Sequence, residues 1–362
     1  MSAKILMKGN EAVAEAAIRA GCRLYFAYPI TPQNELVEYM SRMMPKVHGT
    51  FIQAESEVAA ANMVYGAAGV GKRVMTSSSS PGISLKMEAI SYMAGAELPA
   101  VVVNVQRGGP GLGDIQPAQG DYFQATKGGG HGDYRIIVLT PASVQEFADL
   151  TTEAFDLADK YRTPVMVLAD GILGQMMEPV EFKPHKTEEE IQKLGEQHYG
   201  WCIHTNIDGP NRHHHEINSL ELDPNVLEQH VLALDKKNKL IEQNEIRYEA
   251  YHINPDNEMI CSAFGTAARI VKSAIDELNQ KGHNIGLIRP ITVYPFPYEA
   301  FSRALGKKVQ NVNVFELNLG QMVEDIKLAV KGNVPVNFMG KVGGLVFTPA
   351  EIITEIEKYL KK

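Results

Sequence analysis

The sequence predicts an α/β fold, with a doubly wound parallel sheet followed by a smaller α/β domain. The first observation is that short apolar segments alternate with helical segments through residues 1–182 and again through residues 255–362. The second is that residues 99–106 are almost continuously apolar, which is typical of a strand buried on both faces of a parallel sheet. Between these regions, residues 183–254 are charged and rich in histidine, and they predict a linker or an excursion.

The individual elements follow from local periodicity and from the positions of glycine and proline. A segment rich in Ala and Glu that ends at Gly21 predicts the first helix, and Pro29 with Pro32 predicts an extended turn after the first strand. The serines at 77–80 predict a loop. The predicted strands are 24–27, 51–54, 73–76, 99–106, 135–139, 164–168, 258–263 and 284–288, and the predicted helices are 9–20, 33–44, 55–68, 83–94, 143–160, 266–281 and 349–361.

The overall composition narrows the classes of function. The formal net charge of −8 argues against nucleic acid as the main partner, because phosphate binding needs a basic surface. The apolar runs are too short to cross a bilayer and no signal peptide is recognisable, so we expect a cytoplasmic protein without a membrane partner. Cys22, Cys202 and Cys261 are widely spaced, so we do not expect this chain alone to hold an iron–sulfur cluster.

A metal site on this chain is not expected either. His213, His214 and His215 are consecutive, and consecutive side chains cannot all converge on one ion. A solvated loop is the better interpretation of this triplet.

Glu57 is the most informative single carboxylate in the sequence. It lies at the predicted start of a helix, directly after a strand, and the helix continues with small apolar residues that pack closely. An acid in the first turn of a helix can also be favoured simply by the helix dipole. The residues alone therefore leave open whether Glu55 or Glu57 has more than a structural role.

Arg107 and Thr31 are the other candidate functional residues. Arg107 ends the predicted buried strand and enters a glycine-rich loop, at the sheet edge where open α/β folds place their ligands. A guanidinium there suits a carboxylate ligand, although a structural ion pair explains it equally well. Thr31 lies between two prolines at the end of a strand, where a stiff backbone would fix the position of its hydroxyl group.

Several motifs, in order along the chain, resemble the alpha-type subunits of 2-oxoacid:ferredoxin oxidoreductases, and most closely the branched-chain (2-oxoisovalerate) type. The YPITP segment and the serine-rich SPG loop are the specific ones. The matching segments are KGNEA at 8–12, YPITP at 28–32, QAESE at 53–57, TSSSSPG at 76–82, RGGPG at 107–111, GGHGD at 129–133, FGT at 264–266, RPIT at 289–292, PFP at 295–297 and ELNLGQM at 316–322.

The resemblance implies a specific cofactor and assigns site residues. Residues 1–182 should be the pyrimidine-binding domain of a thiamine diphosphate enzyme, and residues 255–362 should resemble the C-terminal domain of transketolase. By the family pattern Glu57 is the buried acid that hydrogen-bonds the pyrimidine nitrogen N1′, Arg107 binds the substrate carboxylate, and Thr31 places a hydroxyl beside the substrate. The cofactor-binding positions implied are Glu57, Pro29, Ile30, Ser79 and Ser80.

The resemblance also implies partner subunits. Thiamine enzymes hold the diphosphate and its Mg²⁺ with a Gly-Asp-Gly segment followed by Asn-Asn, and the nearest match here is ADG at 169–171 without Asn-Asn. We therefore expect thiamine diphosphate to be shared with a beta subunit that binds its diphosphate and Mg²⁺. Gamma and ferredoxin-like delta subunits should complete the enzyme, and the iron–sulfur clusters should lie on these partners.

The implied reaction is the oxidative decarboxylation of a 2-oxoacid with coenzyme A, in which acyl-CoA and CO₂ form and ferredoxin takes the electrons. Branched-chain 2-oxoacids are favoured over 2-oxoglutarate and pyruvate, because no second cation beside Arg107 stands out to receive a distal carboxylate. Lys127 and Arg135 remain as alternatives for that role. Two other classes stay open: half of a different thiamine enzyme, and a non-catalytic interaction subunit that keeps the fold.

Overall fold

The computed structural model describes residues 4–203 and 215–360, and its N-terminal region alternates strands and helices. A 3₁₀ helix, Met44–Val47, follows the second α-helix. The elements of this region are β1 (Ile5–Lys8), α1 (Gly9–Arg19), β2 (Leu24–Ala27), α2 (Asn34–Met43), β3 (Thr50–Gln53), α3 (Glu57–Gly69), β4 (Val74–Ser78), α4 (Ser80–Gly95), β5 (Ala100–Gln106), α5 (Tyr122–Thr126), β6 (Ile137–Leu139), α6 (Val144–Tyr161), β7 (Pro164–Asp170), α7 (Gly171–Gln175) and β8 (Met177–Val180).

The rest of the chain begins with two helices and then returns to alternation. The longest helix of the described residues, of 21 residues, lies in the charged stretch that the sequence predicts as a linker or excursion. The elements are α8 (Glu188–Glu196), α9 (Pro224–Asn244), β9 (Tyr248–Tyr251), β10 (Met259–Ser262), α10 (Gly265–Gln280), β11 (Ile285–Pro290), β12 (Thr292–Tyr294), α11 (Tyr298–Ala304), β13 (Asn311–Glu316), α12 (Met322–Val330), β14 (Val336–Gly340) and α13 (Pro349–Glu357).

The larger sheet has seven strands in the order β12-β6-β7-β5-β4-β2-β3. Strands β6, β7, β5, β4, β2 and β3 are parallel to their neighbours. All seven residues of β5 are buried, and its alternate side chains enter two different cores: Val101, Val103 and Val105 lie in one, Ala100 and Val102 in the other. Helices therefore cover both faces, which confirms the predicted doubly wound sheet.

The smaller sheet has five strands in the order β14-β13-β10-β11-β9, parallel except for β9. Two strands do not follow a division of the chain into domains at residue 254. β9 precedes that division but belongs to the smaller sheet, whereas β12 follows it and pairs antiparallel with β6 of the larger sheet. The two regions are thus tied together by backbone pairing as well as by packing.

Gln119 joins the two regions beside the sheet edge that carries the candidate site. This buried side chain donates to the carbonyl oxygen of Phe264 at 2.8 Å and accepts from the amide of Leu317 at 3.0 Å. Its own carbonyl oxygen accepts from Asn318 at 2.7 Å. The glycine-rich segment that follows β5 is consequently anchored on the smaller domain.

One local prediction differs from the structure. Ser77 and Ser78, which the sequence predicts in a loop, are the last residues of β4, and Ser80 already begins α4. The reason is that Pro81 and Gly82 occupy the first helical turn, where the missing proline N–H costs no intrahelical hydrogen bond. Within residues 4–203 and 215–360, every helix is too short or too polar to cross a bilayer.

Candidate active site at the carboxyl edge of the larger sheet

The predicted site residues lie at the carboxyl ends of four neighbouring strands. Thr31 follows β2, Glu57 follows β3, Ser79 follows β4 and Arg107 follows β5. In a parallel sheet these ends share one edge, which is where doubly wound folds bind ligands. Short hydrogen-bonded contacts then connect the segments to one another.

Glu57 is the first residue of α3, and its side chain is only 8% exposed. Ser56 caps this helix by accepting from the amide of Ala59 at 3.2 Å. A Cβ atom on Gly82 of α4 would lie 2.8 Å from Oε1 of Glu57, so a glycine is needed for this close approach. Within the described part of the chain, no hydrogen bond to the Glu57 carboxylate is present.

Arg107 is held so that part of its guanidinium remains free. Its Nη1 donates to the carbonyl oxygen of Thr31 at 3.0 Å, and its Nη2 donates to that of Leu112 at 3.0 Å. The Nε atom is buried and has no partner among the described residues. A guanidinium has five N–H donors, so several remain for an incoming carboxylate. The same contacts bring Arg107 beside Thr31, which is half-buried and accepts from Asn34 at 3.4 Å.

The remaining predicted positions differ in whether their side chains already have hydrogen-bond partners. Pro29 and Ile30 are half-buried on the segment after β2. The hydroxyl of Ser79 is fully buried and has no partner within residues 4–203 and 215–360, so it can bond to a ligand. The hydroxyl of Ser80 is occupied: it accepts from the Arg107 amide at 3.1 Å and lies 2.6 Å from Asp121.

Asp121 is a half-buried acid at this edge that the sequence reasoning missed. It accepts from the Ser80 hydroxyl at 2.6 Å and from Asn104 at 2.8 Å, and burial raises the pKa of its carboxyl group. Because Ser80 in turn holds the Arg107 amide, Asp121 fixes the start of the glycine-rich segment. No sequence signal marks it, since it lies in an irregular segment whose partners are 17 and 41 residues away.

Lys86 is the second residue that the sequence reasoning missed, although its position in the helical pattern could have indicated it. In α4 the buried residues Ile83, Met87 and Ile90 recur at helical spacing, and Lys86 falls on the same face. Its ammonium is 0% exposed and donates to Thr76 at 3.1 Å and to the carbonyl oxygen of Glu57 at 3.4 Å. A charged residue at a buried position of an amphipathic helix indicates a function or a buried partner.

Other groups lie away from this edge or have structural roles. Asp170, in the ADG segment, caps α7 by accepting from the amides of Ile172 at 3.0 Å and Leu173 at 3.2 Å. His213 and His214 lie outside the described residues, and the ring of His215 contacts the carbonyl oxygen of Cys202 at 2.8 Å. The described ranges contain no cluster of three or more His, Cys, Asp or Glu that could hold a metal ion.

Comparison with protein families gives the chain its assignment. The family described as "Pyruvate flavodoxin/ferredoxin oxidoreductase, thiamine diP-bdg" matches residues 15–220, and "Pyruvate:ferredoxin oxidoreductase core domain II" matches residues 257–352. The chain belongs to the 2-oxoacid:ferredoxin oxidoreductase family. Within it the chain is an alpha-type subunit of a hetero-oligomeric oxidoreductase, as predicted, and residues 15–220 are a thiamine-diphosphate-binding domain.

Two relatives indicate which type within the family this oxidoreductase subunit resembles more. It is 47% identical to the ketoisovalerate oxidoreductase subunit VorB of Methanothermobacter thermautotrophicus over 98% of this chain and 97% of the relative. It is 38% identical to the 2-oxoglutarate synthase subunit KorA of Methanocaldococcus jannaschii over 96% of this chain and 97% of the relative. The branched-chain type is therefore the nearer of these two.

Solved structures agree on the fold of this oxidoreductase subunit. The 2-oxoglutarate:ferredoxin oxidoreductase from Magnetococcus marinus, with 2-oxoglutarate, coenzyme A and succinyl-CoA bound, is 27% identical with a TM-score of 0.82. The match covers 99% of this chain and 65% of that one. A split-gene transketolase, an inactive beta4 tetramer, has a TM-score of 0.55 at 11% identity, which shows a shared fold alone.

The residues at the sheet edge fit the pyrimidine half of thiamine diphosphate. Such a ring needs one acid for its N1′ nitrogen and polar atoms that lack internal partners. Glu57 supplies the acid, and the buried hydroxyls of Ser78 and Ser79 have no partner within residues 4–203 and 215–360. Asp170, in the segment that most resembles a diphosphate-binding motif, is used as a helix cap.

Proposed function

We propose that this chain supplies the pyrimidine-binding and substrate-carboxylate-binding half of an active site shared with a beta-type subunit. The assembled enzyme would convert a branched-chain 2-oxoacid and coenzyme A into acyl-CoA and CO₂ and pass the electrons to ferredoxin. The observation that carries the proposal is that a buried glutamate with a free carboxylate and an arginine with free N–H donors share one sheet edge, Glu57 and Arg107.

The residues of this chain would bind, orient and hold a proton. Arg107 would bind the carboxylate of the 2-oxoacid through its free N–H donors, and Thr31 would place its hydroxyl beside the reacting carbonyl. Glu57 would hold a proton between its carboxylate and N1′ of the pyrimidine. Thiamine diphosphate, when bound, supplies the electron sink for loss of CO₂. Pro29, Ile30, Ser79 and Ser80 would shape the walls around the ring.

The branched-chain preference is supported by the cations near the site. 2-Oxoglutarate would need a second positive group for its distal carboxylate. Lys127 is paired with the buried Asp325 at 2.5 Å, and Arg135 lines a different groove with Tyr294 and Tyr298. Neither of the two cations left open by the sequence is therefore free beside Arg107.

The partners follow from what this chain cannot supply. We propose that a beta subunit holds the diphosphate and Mg²⁺, and that gamma and ferredoxin-like delta subunits complete the electron path. Cys22, Cys202 and Cys261 support this, since all three are buried and distant in sequence, whereas an iron–sulfur cluster is held by four converging thiolates.

The test is a reduction assay on the complex purified through this chain from its native host. A low-potential dye would be followed with thiamine diphosphate, coenzyme A and, in turn, 2-oxoisovalerate, 2-oxoglutarate and pyruvate. Coenzyme A-dependent reduction with 2-oxoisovalerate at the highest kcat/KM is expected. Failure of every oxoacid in a complex that contains bound thiamine diphosphate would refute the oxidoreductase reaction, and a preference for 2-oxoglutarate would refute the substrate assignment.

The role of Glu57 is tested by a matched pair of variants. We expect Glu57→Gln to lower kcat by at least about 100-fold, because it removes the acid while leaving the side chain's shape. Glu55→Gln is the control, since Glu55 is exposed and two residues earlier in the same segment. Size-exclusion chromatography would show that both complexes assemble. Full activity of the Glu57→Gln complex would favour a non-catalytic interaction subunit.

A further inference from the structure

The ammonium of Lys86 is buried beside Glu57 and calls for an explanation beyond packing. Lys86 is 0% exposed, and among residues 4–203 and 215–360 it forms no ion pair within 4.0 Å. Its hydrogen bonds go to neutral oxygens, those of Thr76 and of the Glu57 main chain. Burying a charge without a directly paired partner is unfavourable, and a methionine of similar length would fill the same space without that penalty.

The geometry directs this charge toward Glu57. Gly82 and Lys86 lie one turn apart on the same face of α4, and this face packs against α3. Long helical side chains point back toward the helix N-terminus, so the Lys86 ammonium reaches the level of Gly82. At that level the Glu57 carboxylate contacts Gly82, while the Glu57 carbonyl oxygen accepts from Lys86 itself.

We propose that Lys86 is a positioning residue for Glu57: it fixes the first turn of α3 and so holds the Glu57 carboxylate toward the pyrimidine of thiamine diphosphate. The proposal rests on the proposed function, since it assumes that Glu57 meets N1′. A carboxylate at Glu57 then stabilises a positively charged, N1′-protonated ring. Lys86 and the N-terminus of α3 both place positive charge near this carboxylate.

The electrostatic environment of Lys86 is consistent with this role. Burial lowers the pKa of its ammonium to about 8, and the Glu57 carboxylate acts in the opposite direction. Of the titratable groups in the described ranges, Glu57 is the one whose charge opposes this lowering of the Lys86 pKa, and Thr76 of β4 contributes a neutral hydroxyl. Near neutral pH the Lys86 ammonium therefore keeps its positive charge, and Glu57 is the titratable group with which this charge interacts.

The test is a double-mutant cycle on the affinity of the assembled complex for thiamine diphosphate. Lys86→Met removes the charge and the donors, and Lys86→Gln removes the charge but keeps donors. We expect each to weaken cofactor affinity about tenfold at pH 7 and to remove the fall in affinity that the wild type should show above about pH 8, where the Lys86 ammonium loses its proton. Lys72→Met is the control, because Lys72 is exposed and carries the same charge.

The second half of the cycle uses Glu57→Gln, in which no carboxylate remains to be stabilised. Adding Lys86→Met to that variant should change the affinity less than twofold. An equal loss in both backgrounds, or an unchanged affinity and pH profile in both Lys86 variants, would overturn the proposal. A wild-type complex that binds no thiamine diphosphate would refute the proposed function as well, so the two failures are distinguishable. Thermal melting would identify a variant that does not fold.

Discussion

At the scale of single residues, Lys86 makes the folded chain less stable at neutral pH. Burial lowers the pKa of Lys86 from 10.5 in the unfolded chain to about 8. Below pH 8 the residue is charged in both states, and the folded state carries the full penalty of burying it. Between pH 8 and 10.5 the folded chain has lost this proton while the unfolded chain still binds it, so the stability of the wild type rises with pH.

Lys86→Met should therefore raise the free energy of unfolding, and this gain should depend on pH. We expect up to about 3 kcal/mol below pH 8, from the difference of the two pKa values, and a gain that declines toward zero by pH 10.5. Urea unfolding of the wild type and the variant at pH 7, 8.5 and 10 would measure it. Lys72→Met should show no such trend. A gain that does not change with pH would mean that the folded-state charge of Lys86 is not the cause.

The residues also show how far sequence reasoning reaches. Sequence position alone did not decide whether Glu55 or Glu57 has more than a structural role. Burial distinguishes the two, since Glu57 is 8% exposed and Glu55 is exposed. The positions of Arg107 and Thr31 at strand ends made them candidates, and the resemblance assigned their roles. Asp121 was beyond prediction because its function depends on partners from two other segments, whereas the helical position of Lys86 already indicated an unusual charge.

At the scale of elements, the approach of α4 to α3 depends on one glycine. A Cβ atom on Gly82 would overlap the Ser78 hydroxyl and lie 2.8 Å from Glu57 Oε1. Gly82→Ala should therefore destabilise the chain by about 1–3 kcal/mol, as overpacking does, and lower the affinity for thiamine diphosphate by displacing Glu57. Calorimetry and cofactor titration of the assembled complex would measure the two effects.

Gly66 provides the matched control in the neighbouring helix. It lies inside α3, is exposed, and a Cβ atom there would meet no atom within 4 Å. Gly66→Ala should stabilise the chain by about 0.5–1 kcal/mol, because alanine loses less backbone entropy in a helix than glycine. If both substitutions stabilised the chain, α4 would not be in steric contact with Glu57.

Several elements were predicted close to the bounds that the structure has. The strand at 24–27 was predicted with the bounds that the structure has. The helix at 9–20 ends one residue after α1, and the helix at 143–160 differs from α6 by one residue at each end. The three-residue strand β12 was missed. A segment of that length has no measurable alternation, and its strand conformation depends on pairing with β6, which lies about 150 residues earlier.

At the scale of the whole molecule, the two domains should unfold together. One hydrophobic core runs from Val102 and Leu168 of the larger sheet to Ile260 and Val312 of the smaller one. β12 adds backbone pairing across the division, and Gln119 adds buried hydrogen bonds to Phe264 and Leu317. Because these contacts cross the boundary, the unfolding of one domain would disrupt the other, and we expect a single cooperative transition.

We expect Gln119→Leu to leave the buried amide of Leu317 unpaired, while the Phe264 carbonyl oxygen would keep the hydrogen bond from the Ala268 amide at 3.4 Å. The free energy of unfolding should fall by roughly 1–3 kcal/mol, which is the cost of one unpaired buried polar group. Gln280→Leu is the control, since Gln280 is exposed at the end of α10. Calorimetry should show a single transition in the wild type and in both variants. Two separated transitions in the wild type would mean that the domains fold independently and that the site edge is held by the larger domain alone.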